Sequence, residues 1–345
     1  GIGHYFVPRY TRVVDTAESK DNINKAYNLI STSKVRNEMI IDDVITCVAR
    51  KQTPVILTRF KEHAKFLHDA LKKKADHVFL LYGDNSDKEN AEIRVKLKQI
   101  PENESLILVA TGQKIGEGFD FPRLDVLMLA APVSFEGRLE QYVGRLNRDY
   151  VGKEAVYVYD YIDSHVRYFD KMYAKRLRTY RKMGFSIWTQ ELQPKQIINA
   201  IFDSVNYTEK FEQDIVESEK MVVISSPDIR QDKIDRFLLL VKKRQEVGVK
   251  VTVITTDPED ITYGKSDVCY ELIRAMQLVG INVITRTEVE ECFAVIDDEI
   301  VWHGGMNLLG KADVWDNLMR IRNSQVATEL LEIALGCSEE RRKSE

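Results

Sequence analysis

Short apolar runs alternate with amphipathic stretches along residues 51–163. The runs are PVILT, HVFLL, SLILVAT, VLMLAA and EAVYVYDYI. Continuous apolar runs of this kind are typical of parallel strands that are buried on both faces, and the stretches between them have helical spacing. The pattern therefore predicts an α/β domain over residues 51–163, with helices on both faces of a parallel sheet.

Residues 1–50 precede this alternation and have helical spacing in their second half. Apolar side chains at Ile23, Tyr27 and Ile30 are separated by three and four positions. This spacing predicts helix over residues 18–50. Residues 1–50 are therefore predicted to be a lead-in and helices that belong to the first domain.

A second alternation begins at residue 219. Three strand-type runs, MVVIS, VKVTVIT and INVIT, are separated by amphipathic stretches that end at Gly248 and Gly280, and glycine is a common helix stop. Two short strand-type runs, CFAVI and IVWH, then follow with no room for a helix between them. The predicted parts are a helical connector (164–218), a second α/β domain (219–337) and a charged tail (338–345).

The composition is that of a globular protein without a membrane-spanning segment. Hydrophobic residues make up 44% of the 345 residues, and 50 Lys or Arg against 54 Asp or Glu give a net charge of -4. The chain has neither an apolar run long enough to cross a bilayer nor the pattern of a signal peptide. Four cysteines lie without metal-ligand spacing, which predicts reduced thiols and no metal site. We predict a cytoplasmic protein with no membrane partner.

Polar residues follow two predicted strands and recur on one predicted helix of the first domain. The run VILTRF ends in Thr58 and Arg59, and the run ILVATG reaches Thr111 before a glycine-rich loop that closes on Asp120. Glycine lets a backbone approach phosphate closely. The helical segment QYVGRLNR carries Gln141, Arg145 and Arg148.

In this order, the three segments resemble motifs of the second RecA-like domain of superfamily 2 (DEAD/DEAH-like) helicases. VILTRF is similar to motif IV, ATGQKIGEGFD to motif V, and QYVGRLNR to the Q-x-x-G-R-x-x-R of motif VI. The resemblance covers residues 50–163. It implies a RecA-like fold and a role in an ATP-dependent helicase or translocase that acts on DNA or RNA.

The resemblance also implies roles for single residues. Thr111 would contact the nucleic-acid backbone, and Arg59 is a second candidate for that contact. Arg148 would be the catalytic arginine finger, with Arg145 as its partner, because a guanidinium beside the nucleotide can neutralise the transferring phosphoryl group. The residues that would bind the nucleotide are Gly118, Asp120, Gln141, Arg145 and Arg148.

The other half of an ATP site is missing from the sequence. A helicase needs a phosphate-binding G-x-x-x-x-G-K-[ST] loop and an acidic strand end that holds Mg²⁺. The loop does not occur in the sequence, and the one acidic strand of that kind, VIDDEI, follows the helicase-like motifs instead of preceding them. ATP and Mg²⁺ would therefore be bound only together with a first RecA-like domain as partner, and this chain alone is expected to hold no cofactor. The first residue is Gly rather than Met, so we interpret the sequence as part of a larger protein.

The predicted connector contains a basic helix at residues 165–182. Seven of these residues are Lys or Arg and only Asp170 is acidic, while aromatic and aliphatic residues recur at helical spacing. One interpretation is a docking helix whose charged face is only solvated. Another is contact with a nucleic-acid backbone through Arg167, Lys171, Lys175 and Arg178. A membrane-surface helix is a third.

Residues 221–335 resemble one half of a phospholipase D-type domain. That family carries H-x-K-x(4)-D followed by G-[GS]-x-N, and Asp297 and Asn307 fit this pattern. Glu290 and Cys292 stand where the family has its nucleophilic His and its phosphate-neutralising Lys. A carboxylate repels a phosphodiester and a thiol brings no positive charge, so we predict a degenerate site. The family builds one site from two halves, which makes a homodimer a possible partner arrangement.

We therefore predict the second motor domain of a helicase or translocase, fused to a catalytically degenerate phospholipase D-like domain. One alternative is a phosphodiesterase or nuclease with a helicase-like targeting module. A non-enzymatic interaction module is another. The second domain holds 14 Lys or Arg and 20 Asp or Glu, which favours protein contacts over a large polyanion surface.

Overall fold

The computed structural model describes residues 2–112, 115, 120–133, 136–188, 200–261 and 265–343, with the backbone alone for Glu136 and residues 337–343. Two compact units divide the chain, at residues 1–190 and 191–345. Each unit is built around its own sheet. The prediction of an α/β fold is confirmed in both.

The described residues of the first unit form a seven-stranded sheet in the order β3-β4-β2-β5-β6-β1-β7, in which every pair of neighbours is parallel. The strands are β1 (Gly3–Tyr10), β2 (Pro54–Thr58), β3 (His77–Leu81), β4 (Leu106–Thr111), β5 (Val126–Leu129), β6 (Ala155–Ile162) and β7 (Ser186–Ile187). The helices are α1 (Ile23–Ser31), α2 (Lys34–Ala49), α3 (Lys61–Leu71), α4 (Asp87–Gln99), α5 (Glu136–Leu146) and α6 (Arg167–Lys182).

The core of this unit comes from the apolar runs of the sequence. Val55, Ile56 and Leu108 are completely buried, as expected for central parallel strands that helices cover on both faces. Strand β1 was not predicted. It pairs in parallel with the whole of β6, from Gly3↔Ala155 to Tyr10↔Ile162, so residues that we assigned to a lead-in form an inner strand of the sheet.

Two helical predictions differ from the structure. Residues 18–50 contain two helices, because the chain leaves α1 at Thr32 and Ser33 caps α2 with its side chain. The predicted connector 164–218 is divided between the units. Helix α6 packs against α5 and β6 in the first unit, whereas residues 200–216 belong to the second.

The described residues of the second unit form a seven-stranded mixed sheet in the order β11-β10-β9-β12-β13-β14-β8. The strands are β8 (Ala200–Asp203), β9 (Met221–Ser225), β10 (Lys250–Thr256), β11 (Asn282–Arg286), β12 (Cys292–Ile296), β13 (Ile300–Gly304) and β14 (Asn317–Arg322). The helices are α7 (Thr208–Val216), α8 (Gln231–Glu246), α9 (Ser266–Leu278) and α10 (Ser324–Lys343). Strands β9, β10 and β11 are parallel, and each remaining pair of neighbours is antiparallel.

The core of the second unit surrounds Trp302, which is completely buried on β13. Its indole Nε1 donates a hydrogen bond of 2.8 Å to Asp214, whose carboxylate also accepts two hydrogen bonds from the Arg320 guanidinium at 2.8 and 2.9 Å. The buried carboxylate therefore has three donors. Within the described part of the chain, no helix is long and apolar enough to cross a membrane.

Candidate functional site at the carboxyl edge of the first sheet

A cleft of about 690 Å³ opens where β2 and β4 end. Both strands run in parallel, so their last residues, Thr58 and Thr111, lie side by side at one edge of the sheet. Three cationic side chains line the cleft, and none of its described lining residues is acidic. The cations are Arg59, Lys61 and Arg138.

Three of the predicted site residues meet in this cleft. Arg59 and Thr111, predicted to contact nucleic acid, line it together with Gln141, which we predicted to bind the nucleotide. The structure therefore places Gln141 with the nucleic-acid candidates. The sequence analysis missed Arg138, although it stands three residues before Gln141 on the same helix, a spacing that brings two side chains to one helical face.

Arg59 is supported by an aromatic ring from the N-terminal helix α1. Its guanidinium carbon lies 4.4 Å from the centre of the Tyr27 ring, and the Tyr27 hydroxyl donates to the Pro132 carbonyl at 2.9 Å. Burial raises the pKa of Tyr27, and the Arg59 charge opposes that shift. Tyr27, which the sequence analysis assigned only to helix packing, is thus part of the cleft wall.

Thr58 is held by a buried hydrogen-bond relay. The Asn37 amide nitrogen donates to the Ser31 carbonyl at 2.9 Å, so the Asn37 Oδ1 accepts from His63 Nε2 at 2.8 Å. The His63 Nδ1 then accepts the Thr58 hydroxyl hydrogen at 2.5 Å. Burial, followed by the nearby Arg36 charge, lowers the pKa of His63 to about 3, which keeps the imidazole neutral.

Gly112, the residue that follows β4, contacts helix α5. The Tyr142 hydroxyl donates to the Gly112 carbonyl at 3.2 Å. A Cβ atom on Gly112 would lie 2.8 Å from the same hydroxyl oxygen, so a side chain at this position would force Tyr142 away. Gly118 of the same predicted motif lies outside the described residues.

Asp120 and Arg148 form an ion pair. The Arg148 Nε lies 3.6 Å from the Asp120 Oδ1, and both side chains are about half exposed, at 53% and 52%. Arg145 is the penultimate residue of α5 and is half-buried, but Arg148 lies beyond the end of the helix at Leu146. Our expectation that Gln141, Arg145 and Arg148 share one helix was therefore wrong for Arg148.

The basic helix α6 buries one face and exposes the other. Phe169, Tyr173 and Tyr180 are completely buried. Arg176 is buried too, and its guanidinium donates to both carboxylate oxygens of Asp160 at 2.8 Å. The exposed positions of the predicted phosphate-contacting set are Lys171, Lys175 and Arg178, whereas Arg167 is half-buried.

The predicted phospholipase D-like positions of the second unit do not form one cluster. Cys292 opens β12 and is 6% exposed, with half-buried Glu290 just before it. Asn307 accepts a hydrogen bond from the Asp228 backbone amide at 2.9 Å, beyond the carboxyl end of β9. These three residues lie towards the carboxyl edge of the parallel strands, because β12 begins beside the end of β9.

Asp297 lies at the opposite edge, in the turn that joins β12 and β13. Its backbone has a φ of 57°, and its carboxylate accepts hydrogen bonds from the backbone amides of Glu219, Lys220 and Met221 at 2.7 to 3.1 Å. Asp297 therefore fixes the entry into β9. No group of three His, Cys, Asp or Glu side chains that could hold a metal occurs among the described residues of either unit.

The chain is similar in sequence to several viral proteins. The chain matches no known protein-family profile. It is similar to viral transcript termination proteins and to a viral protein that carries the name "Putative helicase 161L". The chain spans less than half the length of each of these viral relatives.

The transcript termination protein A18 of Yaba-like disease virus is 29% identical over 138 residues, which are 38% of this chain and 28% of that protein. The protein named "Putative helicase 161L" of Invertebrate iridescent virus 6 is 34% identical over 118 residues, which are 34% of this chain and 22% of that protein. A transcript termination protein of Vaccinia virus is 24% identical over 198 residues, 52% and 40% of the two chains.

Two solved structures are similar to parts of the chain. T4 UvsW has a TM-score of 0.45 and 20% identity, over 54% of this chain and 41% of its own. Nuc from Salmonella typhimurium, a phospholipase D family member, has a TM-score of 0.33 and 15% identity, over 40% of this chain and 91% of its own.

Proposed function

We propose that this chain belongs to an ATP-driven helicase or translocase and that its first unit binds the backbone of DNA or RNA in the cleft at the ends of β2 and β4. The observation that carries the proposal is the charge of the cleft. Arg59, Lys61 and Arg138 face one cavity that no described acidic side chain lines. Phosphate oxygens are the ligands that such a cleft attracts.

The two threonines of the cleft differ in what they can offer a phosphate. The single hydroxyl hydrogen of Thr58 is already donated to His63. Thr111 ends the neighbouring strand and lines the same cleft, so its hydroxyl is the better donor to a phosphate oxygen. Arg59 is held against the Tyr27 ring, and this contact limits the conformations of the cation before any ligand binds.

In this proposal, Arg148 is the residue of this chain that assists ATP hydrolysis. The nucleotide and Mg²⁺ supply the transferring phosphoryl group and the metal charge that neutralises it. The half-exposed Arg148 guanidinium can pair with anionic oxygens, as its contact with Asp120 shows, so it fits a phosphoryl group. In a protein that unites this chain with a phosphate-loop domain, Arg148→Ala should slow ATP hydrolysis by roughly 10³–10⁵-fold. Nucleotide binding should change far less.

The second unit has no hydrolytic role in this proposal. Glu290 and Cys292 provide neither the imidazole nor the ammonium that the phospholipase D reaction uses, and Asp297 is committed to backbone amides at the other edge of the sheet. The unit would serve as an accessory domain for contacts with protein partners.

The test of the proposed function is the salt dependence of oligonucleotide binding by the full chain. Fluorescence anisotropy with labelled single-stranded DNA and RNA would compare the wild type with Arg59→Gln/Lys61→Gln/Arg138→Gln. The slope of log affinity against log salt should fall by about 0.7 for each phosphate contact that is lost. The exposed lysines after α3 give a control of equal charge, Lys72→Gln/Lys73→Gln/Lys74→Gln, which should keep the wild-type slope. Equal slopes in all three proteins would refute the cleft as the binding site.

A further inference from the structure

Lys153 joins two separate loops of the first unit through a single ammonium group. Its Nζ donates hydrogen bonds to the Pro122 carbonyl at 2.9 Å, to the Leu124 carbonyl at 2.8 Å and to the Leu146 carbonyl. An ammonium has three donors, so all of them are used. The side chain starts from a tight turn in which the Lys153 backbone amide donates to the Tyr150 carbonyl at 3.0 Å.

Two of the three carbonyls lie close in sequence to the two residues of the ion pair described above. Pro122 follows Asp120 by two residues, and Leu146, the last residue of α5, precedes Arg148 by two. A carbonyl at the end of a helix has no partner within that helix. The Leu146 carbonyl receives both the Arg148 backbone amide, at 2.8 Å, and the Lys153 ammonium. Lys153 therefore ties the chain that leads to Arg148 to the chain that leaves Asp120.

The ion pair itself is too weak to set this geometry. Both side chains are about half exposed and the charged atoms are 3.6 Å apart. Solvated pairs of this kind contribute little to stability, because water screens the two charges. The backbone on either side must hold the two groups together, and the Lys153 ammonium is a contact that joins both segments.

We propose that Lys153 is a positioning residue that holds Arg148 opposite Asp120. This inference rests on the proposed function, because the position of Arg148 matters only if its guanidinium serves a phosphoryl group. Partial burial lowers the pKa of Lys153, and the nearby carboxylate of half-buried Asp125 opposes that shift and so favours the charged ammonium. Burial raises the pKa of Asp125 to about 6, and the Lys153 charge opposes that rise.

The experiment follows the arginine Nε–H groups of the full chain by NMR. In a sample with ¹⁵N-labelled arginine, the heteronuclear NOE of the Arg148 Nε reports how rigidly its guanidinium is held. Lys153→Met should lower this NOE to the value found in Asp120→Asn, in which the partner charge is removed directly. The exposed-lysine control Lys72→Met should leave it at the wild-type value.

The same spectra contain their own test of folding. Arg36 and Arg176 have Nε groups in buried ion pairs with Asp163 and Asp160, so their signals should persist in every folded variant. An unchanged Arg148 NOE in Lys153→Met, with the Arg36 and Arg176 signals intact, would overturn the proposal. This readout needs neither nucleotide nor nucleic acid, so a failed oligonucleotide test leaves it interpretable.

Two further measurements cover the case in which Lys153→Met does not fold. Lys153→Gln keeps two of the three donors and should give an intermediate Arg148 NOE. In the wild type, the Lys153 ammonium should exchange its hydrogens with water more slowly than the ammonium groups of exposed lysines. If the Lys153 ammonium exchanges its hydrogens as fast as the exposed lysines do, the proposed role of Lys153 is contradicted without any substitution.

Discussion

Arg36 and Asp163 are 127 residues apart in the sequence and form a completely buried ion pair. The Arg36 Nε and Nη2 donate to the two carboxylate oxygens of Asp163 at 2.9 and 3.0 Å. Thr11 donates to the same carboxylate at 2.5 Å, and Arg36 also donates to the Ala130 carbonyl, which precedes the cleft-lining residues Ala131 and Pro132. This pair thus connects helix α2 to the end of β6 and to the cleft wall.

Removing one partner of this pair should strongly destabilise the first unit. Arg36→Met leaves the Asp163 charge buried with fewer donors, and such losses cost about 3–5 kcal/mol. Urea unfolding, followed by a probe in the first unit, would measure the change in the free energy of unfolding. Lys34→Met, an exposed change on the same helix, should have little effect. The double variant Arg36→Met/Asp163→Leu should recover part of the loss, and no recovery would contradict the electrostatic explanation.

His63 should make the first unit less stable as the pH falls. The pKa of His63 is lowered to about 3 in the native protein, whereas an unfolded histidine titrates near pH 6.5. Between these values the unfolded chain binds the extra proton, so stability is lost below about pH 6.5, at up to about 1.4 kcal/mol per pH unit from this one group. Asp125, with its pKa raised to about 6, acts in the opposite direction over part of the range.

The comparison of His63→Gln with the wild type isolates this effect, because Asp125 is common to both. Urea unfolding at pH 7, 6 and 5 should show a smaller loss of stability in His63→Gln. His68→Gln, on the same helix, controls for the removal of a histidine as such. Identical pH profiles for His63→Gln and the wild type would show that the buried imidazole is not the proton-linked group.

The exposed face of α6 should add phosphate contacts outside the cleft. Lys171→Gln/Lys175→Gln/Arg178→Gln should reduce the slope of log affinity against log salt by about 0.7 for each contact with a single strand. A matched control of three exposed lysines on α4 is Lys88→Gln/Lys96→Gln/Lys98→Gln. If both triple variants have the same slope, the charged face of α6 is only solvated, which is the other interpretation of its sequence.

Asp297 should matter for stability rather than for catalysis. Its carboxylate accepts hydrogen bonds from three backbone amides at the start of β9, and its φ of 57° suits Asp or Asn better than other residues that carry a side chain. Asp297→Ala should lower the free energy of unfolding of the second unit by about 1–3 kcal/mol, because hydrogen bonds to a charged acceptor contribute more than those between neutral groups. Asp298→Ala in the same turn is the control for backbone strain alone, since its φ is 54°.

The second unit should not cleave phosphodiesters. Single- and double-stranded DNA and RNA, and a generic phosphodiester, should survive incubation with the chain in the presence or absence of metal ions. Cleavage without metal that is lost in Glu290→Ala/Cys292→Ala, while the variant remains folded, would show that these residues form an active site. Cleavage that persists in this variant would point to a contaminating nuclease.

The hydrophobic pattern predicted the strands that are buried along nearly their whole length. It failed for β1, where polar residues and a proline hide a strand that pairing within the folded sheet stabilises. Strands β2, β4 and β9 are continuous apolar runs and were predicted. Strand β1 was missed because its sequence, GHYFVPRY, contains polar residues and Pro8. Pro8 is compatible with the strand because it lies past the two residues that pair with β7, where no strand among the described residues flanks that side of β1.

The site was predicted where residues follow strand ends, since parallel strands bring their carboxyl ends to one edge. Arg59 and Thr111 meet in the cleft for this reason. Tyr27 could not be found in this way, because nothing in a helical pattern tells which part of the chain α1 will pack against. Asp297 fits a motif in sequence, but only the strand direction shows that it lies at the opposite edge from Asn307.

The pairing of β1 with β6 also sets an order for folding during synthesis. Gly3 leaves the ribosome 152 residues before its partner Ala155. At a synthesis rate of about 5–20 residues per second, roughly 8–30 s pass between the synthesis of β1 and that of β6. Phe6, Val7 and Tyr10, all buried in the final fold, are exposed to water or to chaperones during that time. The nascent chain therefore depends on keeping strand β1 from pairing with other molecules until β6 has been synthesised.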